Sequence, residues 1–111
     1  MKVVKIKNVK KFNYEMVEKE LLEEGFNFSN WNFPNKDSYV IIKDGEIIPA
    51  YINVKDGEAL NLWVSPKYRR QGLATFLIKS TNVKYATSLP SSISFWQSTK
   101  FKRIKTQFIQ V

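Results

Sequence analysis

Two Asp-Gly pairs, Asp44-Gly45 and Asp56-Gly57, most constrain the fold. Each sits between runs rich in β-branched and aromatic residues. Asp-Gly suits the two-residue hairpin turn because both residues tolerate the positive φ that such a turn demands. The pairs divide this part of the chain into three predicted strands, Tyr39 to Lys43, Glu46 to Val54 and Glu58 to Val64, joined as an antiparallel meander. Pro49, inside the second, marks an edge or a bulge.

The third strand runs into Ser65-Pro66-Lys67-Tyr68-Arg69-Arg70-Gln71-Gly72. Pro66 ends the ladder because it has no amide hydrogen. A helix is predicted from Gly72 to Ser80, opening on small residues. Strand, basic turn and helix N-terminus together make an anion site, since first-turn amides point outward and carry partial positive charge. Val83 to Thr87 reads as a further strand, and a strand–helix–strand crossover implies parallel pairing. Upstream, Lys2 to Lys7 reads as a strand. Asn13 caps a helix from Tyr14 to Glu24 that Gly25 stops. Tyr14, Val17 and Leu21 share its apolar face, and its glutamates read as a solvated one. Pro90 opens a short helix to about Thr99, and the β-rich tail from Phe101 to Val111 closes the sheet.

The length of 111 residues suits one domain spanning 1–111. The chain has no Cys and no His. That excludes a disulfide framework, thiolate metal sites, and nucleophile pairs built on imidazole or thiol. No metal is expected. No apolar run approaches the roughly 18 residues of a membrane span, and the start lacks a signal-peptide core, so a soluble, cytoplasmic protein is the expectation. The net charge of +8 is uneven: Glu58 is the last acidic residue, and Lys67, Arg69, Arg70, Lys79, Lys84, Lys100, Lys102, Arg103 and Lys105 follow it. An acid-free half suggests an anionic ligand, and charge alone does not choose between a nucleotide-like cofactor and nucleic acid.

Arg69-x-x-Gly72-x-Ala74, preceded by Val64-x-Pro66-x-x-Arg69, resembles the signature of the GCN5-related N-acetyltransferases (GNAT). The resemblance covers positions 38 to 101 well and the first 37 only in outline. It implies an α/β (α+β) fold: a mixed, mostly antiparallel sheet with a central parallel strand pair splayed around the cofactor, flanked by about three helices. It implies acetyl-CoA as co-substrate and an amine, on a small molecule or a protein, as acceptor. Leu62, Trp63 and Val64 would contact the cofactor through main-chain groups. Arg69, Arg70, Gln71, Gly72, Leu73, Ala74 and Thr75 would hold its pyrophosphate, mostly through amides. Near the C-terminus, Phe95 and Phe101 match the family's paired phenylalanines. Trp96 stands in place of its tyrosine and Lys100 in place of its glycine. Indole cannot act as an acid at working pH, so no general acid is assigned.

Glu58 is the candidate general base, since the resembled family often carries an acid there; an ordinary solvated turn charge is the alternative. Phe26 to Pro34 interleaves aromatics with asparagines. It reads either as a loop covering the core or, with Phe28 and Trp31, as a wall of the acceptor pocket. Three functions follow in order: an acetyl-CoA-dependent N-acetyltransferase, a non-catalytic acyl-CoA-binding protein on the same fold, and a basic nucleic-acid-binding module. The last is disfavoured because the aromatics of the basic half fall at core-like positions. The β-rich tail could also pair across a homodimer.

Overall fold

The computed structural model describes residues 1–25 and 33–86, the last two by backbone alone. The chain runs β1 (Lys2–Lys5), a 3-10 turn (Ile6–Asn8), α1 (Tyr14–Glu23), β2 (Tyr39–Lys43), β3 (Glu46–Lys55), β4 (Glu58–Val64), a second 3-10 turn (Pro66–Tyr68), α2 (Leu73–Ser80) and β5 (Tyr85–Ala86). The strands form one sheet in the order β1-β2-β3-β4-β5. The four strands β1 to β4 are antiparallel to their neighbours.

Both Asp-Gly pairs form the predicted hairpins. Lys43 pairs with Glu46 and Lys55 with Glu58, so each loop has only its Asp and Gly. Asp44 and Gly45 have φ of 53° and 81°, and Asp56 and Gly57 have 52° and 81°. Positive φ at both centres gives the turn a twist matching that of the flanking strands. Pro49 lies in a bulge and not on an edge: Tyr39 pairs with Ile52 and Ile41 with Ile48, leaving Pro49, Ala50 and Tyr51 opposite Val40. A second bulge lies in β4, where Asn61 pairs with Asn53 and Ala59 with Val54, so that Leu60 is the extra residue.

β1 ends at Lys5, short of the predicted Lys7. Ile6 turns its side chain into the core, and the amides of Ile6 and Lys7 bond to Ser38 O and Lys36 O instead. α1 begins where expected, with Asn13 Oδ1 accepting from Met16 N at 3.0 Å. It ends before Gly25, whose φ of +88° is the left-handed conformation of a helix stop.

The sheet has a core on each face. Val17 and Leu21 of α1 pack with Ile6, Val40, Tyr51 and Trp63 on one face. Leu73, Leu77 and Ile78 of α2 pack with Ile41, Ile52, Val64 and their neighbours on the other. Tyr14 does not join the first core. It is 37% exposed and meets Phe12 edge-on. β4 serves both cores by alternation: Leu62 and Val64 face α2, and Trp63 faces α1.

β5 pairs in parallel with β4 through Glu58↔Tyr85 and Ala59↔Ala86, and Lys84 N bonds to Gly57 O at 2.8 Å. The predicted helix at Pro90 to Thr99 and the tail strand lie outside the described residues, as do Phe28, Trp31, Phe95, Trp96, Lys100 and Phe101.

Candidate functional site

The third strand delivers the chain to a tight basic turn. Pro66 opens the 3-10 turn, closed by Tyr68 N to Ser65 O at 2.8 Å. Arg70 and Gly72 then both take left-handed φ, 65° and 76°. For glycine this conformation is unstrained; for arginine it costs about 1–2 kcal/mol. A Cβ on Gly72 would meet nothing within 4 Å, so the space beside it is open.

Gly72 is the N-cap of α2 and its carbonyl accepts the first helical bond, from Phe76 N at 3.0 Å. The amides of Gly72, Leu73, Ala74 and Thr75 therefore have no acceptor within the helix, and no side chain caps them. Among the described residues, the amides of Arg70 and Gln71 also meet no acceptor. The first turn of α2 contains no acid. Six consecutive amides are thus left without an acceptor among the described residues, next to exposed Arg70 and Lys67. Such an arrangement suits a multiply charged anion such as a pyrophosphate.

Arg69 is committed elsewhere. Its Nε donates to Val64 O at 2.9 Å, and its Nη2 donates to Glu24 Oε1 and Oε2 at 2.9 and 2.7 Å. Glu24 Oε1 also accepts from the indole Nε1 of Trp63 at 2.7 Å. One turn earlier on α1, Glu20 Oε1 accepts from the buried Ser65 hydroxyl at 2.7 Å. Two of the helix's glutamates are therefore not a solvated face. They tie the end of α1 to the end of β4 and to the start of the turn. Leu62 lies half-buried against the α2 core, and Trp63 lies under α1, only 3% exposed.

Glu58 stands half-buried at the opposite end of β4, at the foot of the parallel pairing with β5. Since Ala59 faces α2, Glu58 faces the α1 side by alternation. On that side the sheet carries a polar chain that the sequence analysis did not single out. Asn35 N donates to Ser38 Oγ at 2.9 Å, Ser38 Oγ donates to Asn53 Oδ1, and Asn53 Nδ2 donates to Asn61 Oδ1 at 3.2 Å. The available signal was an asparagine at an inward position in each of two apolar strands, between Ile52 and Val54 and between Leu60 and Leu62. Nothing comparable marked Glu20 or Glu24.

Among the described residues, no group of three or more acidic side chains could hold a metal ion. No helix among them is long and apolar enough to cross a membrane.

The family model described as Acetyltransferase (GNAT) family matches residues 7–87, well over half of the chain. The chain belongs to that family, whose members are acyltransferases. No curated protein and no solved structure gives a significant match.

Proposed function

We propose that the chain is an acetyl-CoA-dependent N-acetyltransferase acting on a primary amine. The run of unsatisfied amides from Arg70 to Thr75 carries this reading. It offers a pyrophosphate several donors that need no rearrangement, at the positive end of α2. Arg70 adds an exposed cation, and the basic, acid-free sequence around it removes repulsion. Arg69 acts differently from its neighbours: its guanidinium fixes the turn to Val64 and Glu24, leaving its backbone to shape the cradle.

Bound there, acetyl-CoA supplies the acetyl group as a thioester, and transfer forms a bond from carbon to the amine nitrogen as the carbon–sulfur bond breaks. Main-chain groups of Leu62, Trp63 and Val64, on the strand that leads into the turn, are the proposed contacts for the rest of the coenzyme. Glu58, on the α1 face, is the proposed base, drawing in a cationic amine and taking its proton before attack. Phe28 and Trp31, in the segment after α1, are the proposed wall of the acceptor pocket.

The test is calorimetric titration with acetyl-CoA, followed by a screen of primary amines for thiol release. Micromolar binding with turnover supports the enzyme. Binding without turnover on any amine would instead favour an acyl-CoA-binding protein, and no binding would overturn both. Within this scheme, Glu58→Gln is expected to lower kcat by about 10²-fold or more while acetyl-CoA affinity stays as in the parent. An unchanged rate across the pH range would remove Glu58 as the base.

A further inference from the structure

We infer that Asn61 binds the acyl acceptor, and that it selects amines carrying a carbonyl oxygen beside the reacting nitrogen; this rests on the acyl transfer proposed above. The polar chain on the α1 face has a fixed direction. A backbone N–H can only donate, so Asn35 N makes Ser38 Oγ an acceptor and leaves the hydroxyl's single hydrogen for Asn53 Oδ1. The amide nitrogen of Asn53 is thereby turned toward Asn61 Oδ1. The chain ends at Asn61 Nδ2, whose two hydrogens meet no acceptor among the described residues.

This end of the chain is open and not sealed in the core, since among the described residues no buried side-chain nitrogen or oxygen lacks a hydrogen-bond partner. Asn53 and Asn61 are 7% and 9% exposed, between apolar neighbours on both strands. The donors face the same side of β4 as Glu58. Their strand partners, Asn53 and Lys55, are two residues apart on β3, which places Asn61 and Glu58 about 7 Å from one another along the face. A hydrogen-bond donor and a carboxylate at that spacing complement a molecule with an ammonium group and a nearby carbonyl oxygen, as in an amino-acid amide or a peptide N-terminus. A simple alkylamine brings an ammonium group for Glu58 but no acceptor for Asn61 Nδ2, and sites that hydrogen-bond a substrate group discriminate against analogues lacking it.

The experiment compares kcat/KM for glycinamide and ethylamine on the full chain and on Asn61→Asp. This substitution keeps an oxygen for Asn53 Nδ2 and replaces the donor with an acceptor. Asn61→Leu is a second variant that removes both. Because the two amines differ in basicity, the quantity read is the change in their ratio between parent and variant, in which basicity cancels. The glycinamide preference is expected to fall by about tenfold or more in both variants, the worth of one good hydrogen bond. Acetyl-CoA affinity, measured on each variant, reports an intact fold. Parent-like affinity with an unmoved ratio in both variants overturns the role of Asn61 alone. Failure of the parent to bind acetyl-CoA overturns the transfer reading and this one with it.

Discussion

Replacing Gly72 by Glu is expected to weaken acetyl-CoA binding by about a hundredfold or more, with the protein still folded. Two effects act together. Gly72 has φ +76°, and a side chain there costs about 1–2 kcal/mol in the helix-capping conformation. The new carboxylate also reaches the free amides of Leu73, Ala74 and Thr75 and caps them from within, so the anion site is filled by the protein itself. A bound pyrophosphate would in addition face a like charge. The strain is the same with and without ligand and lowers stability only; every 1.4 kcal/mol is tenfold in affinity, so the self-capping and the like charge together supply the two decades. Gly72→Ala separates them: an added Cβ meets nothing within 4 Å, so only the backbone strain remains. Arg70 supplies the converse test. Its φ of 65° is strained for arginine, and Arg70→Gly relieves about 1–2 kcal/mol while adding about 0.4–1 kcal/mol of unfolded-state entropy. Stability should rise by up to about 1.6 kcal/mol as coenzyme affinity falls. Calorimetry and urea unfolding read the two directions, and parent-like binding by Gly72→Glu would sink the cradle assignment.

The elements that the sequence revealed are those whose cause is local. Asp44-Gly45 and Asp56-Gly57 fix their own turns through their φ angles, so the bounds of β2 and β4 and the start of β3 were legible. Asn13 and Gly25 bound α1 by contacts within four residues. The turn after β4 and the start of α2 were legible for the same reason, since Pro66 and Gly72 act on adjacent backbone. What escaped is long-range. Ile6 leaves β1 because the core needs it and residues 36–38 supply backbone partners, neither of which is visible in Lys2 to Lys7. The polar chain joins Ser38, Asn53 and Asn61 only because the bulge at Leu60 shifts the β3–β4 register. Arg69 reads as a phosphate ligand from its motif, yet its guanidinium meets a carboxylate 45 residues away.

That carboxylate carries the second large effect. Glu24→Ala is expected to destabilise the fold by about 1–4 kcal/mol. The larger part comes from Trp63. Its indole N–H sits on a side chain 3% exposed and would lose its acceptor, a loss of about 1–3 kcal/mol. The Arg69–Glu24 ion pair adds less. Its side chains are 45% and 23% exposed, and a partly solvated pair contributes only about 0–1 kcal/mol. The balance makes a sharper prediction than the total. Glu24→Gln keeps an oxygen for the indole and loses only the charge, so its loss should stay within about 1 kcal/mol. High salt should likewise change the parent little, because screening weakens the ion pair and not the indole bond. Leu22→Ala is the control on the same helix, since Leu22 is 54% exposed and its removal leaves the sheet contacts intact. Urea denaturation of the three variants reads these differences directly, and superimposable curves for the parent and Glu24→Ala would show that the end of α1 does not hold β4. If it does hold, acetyl-CoA affinity should fall in Glu24→Ala as well. Arg69 then keeps its bond to Val64 O but loses its anchor on the helix, and the turn that presents the amides of Arg70 to Thr75 is fixed from one side only. The helix before the proposed acceptor segment and the turn proposed to carry the coenzyme are in this way joined through a single carboxylate.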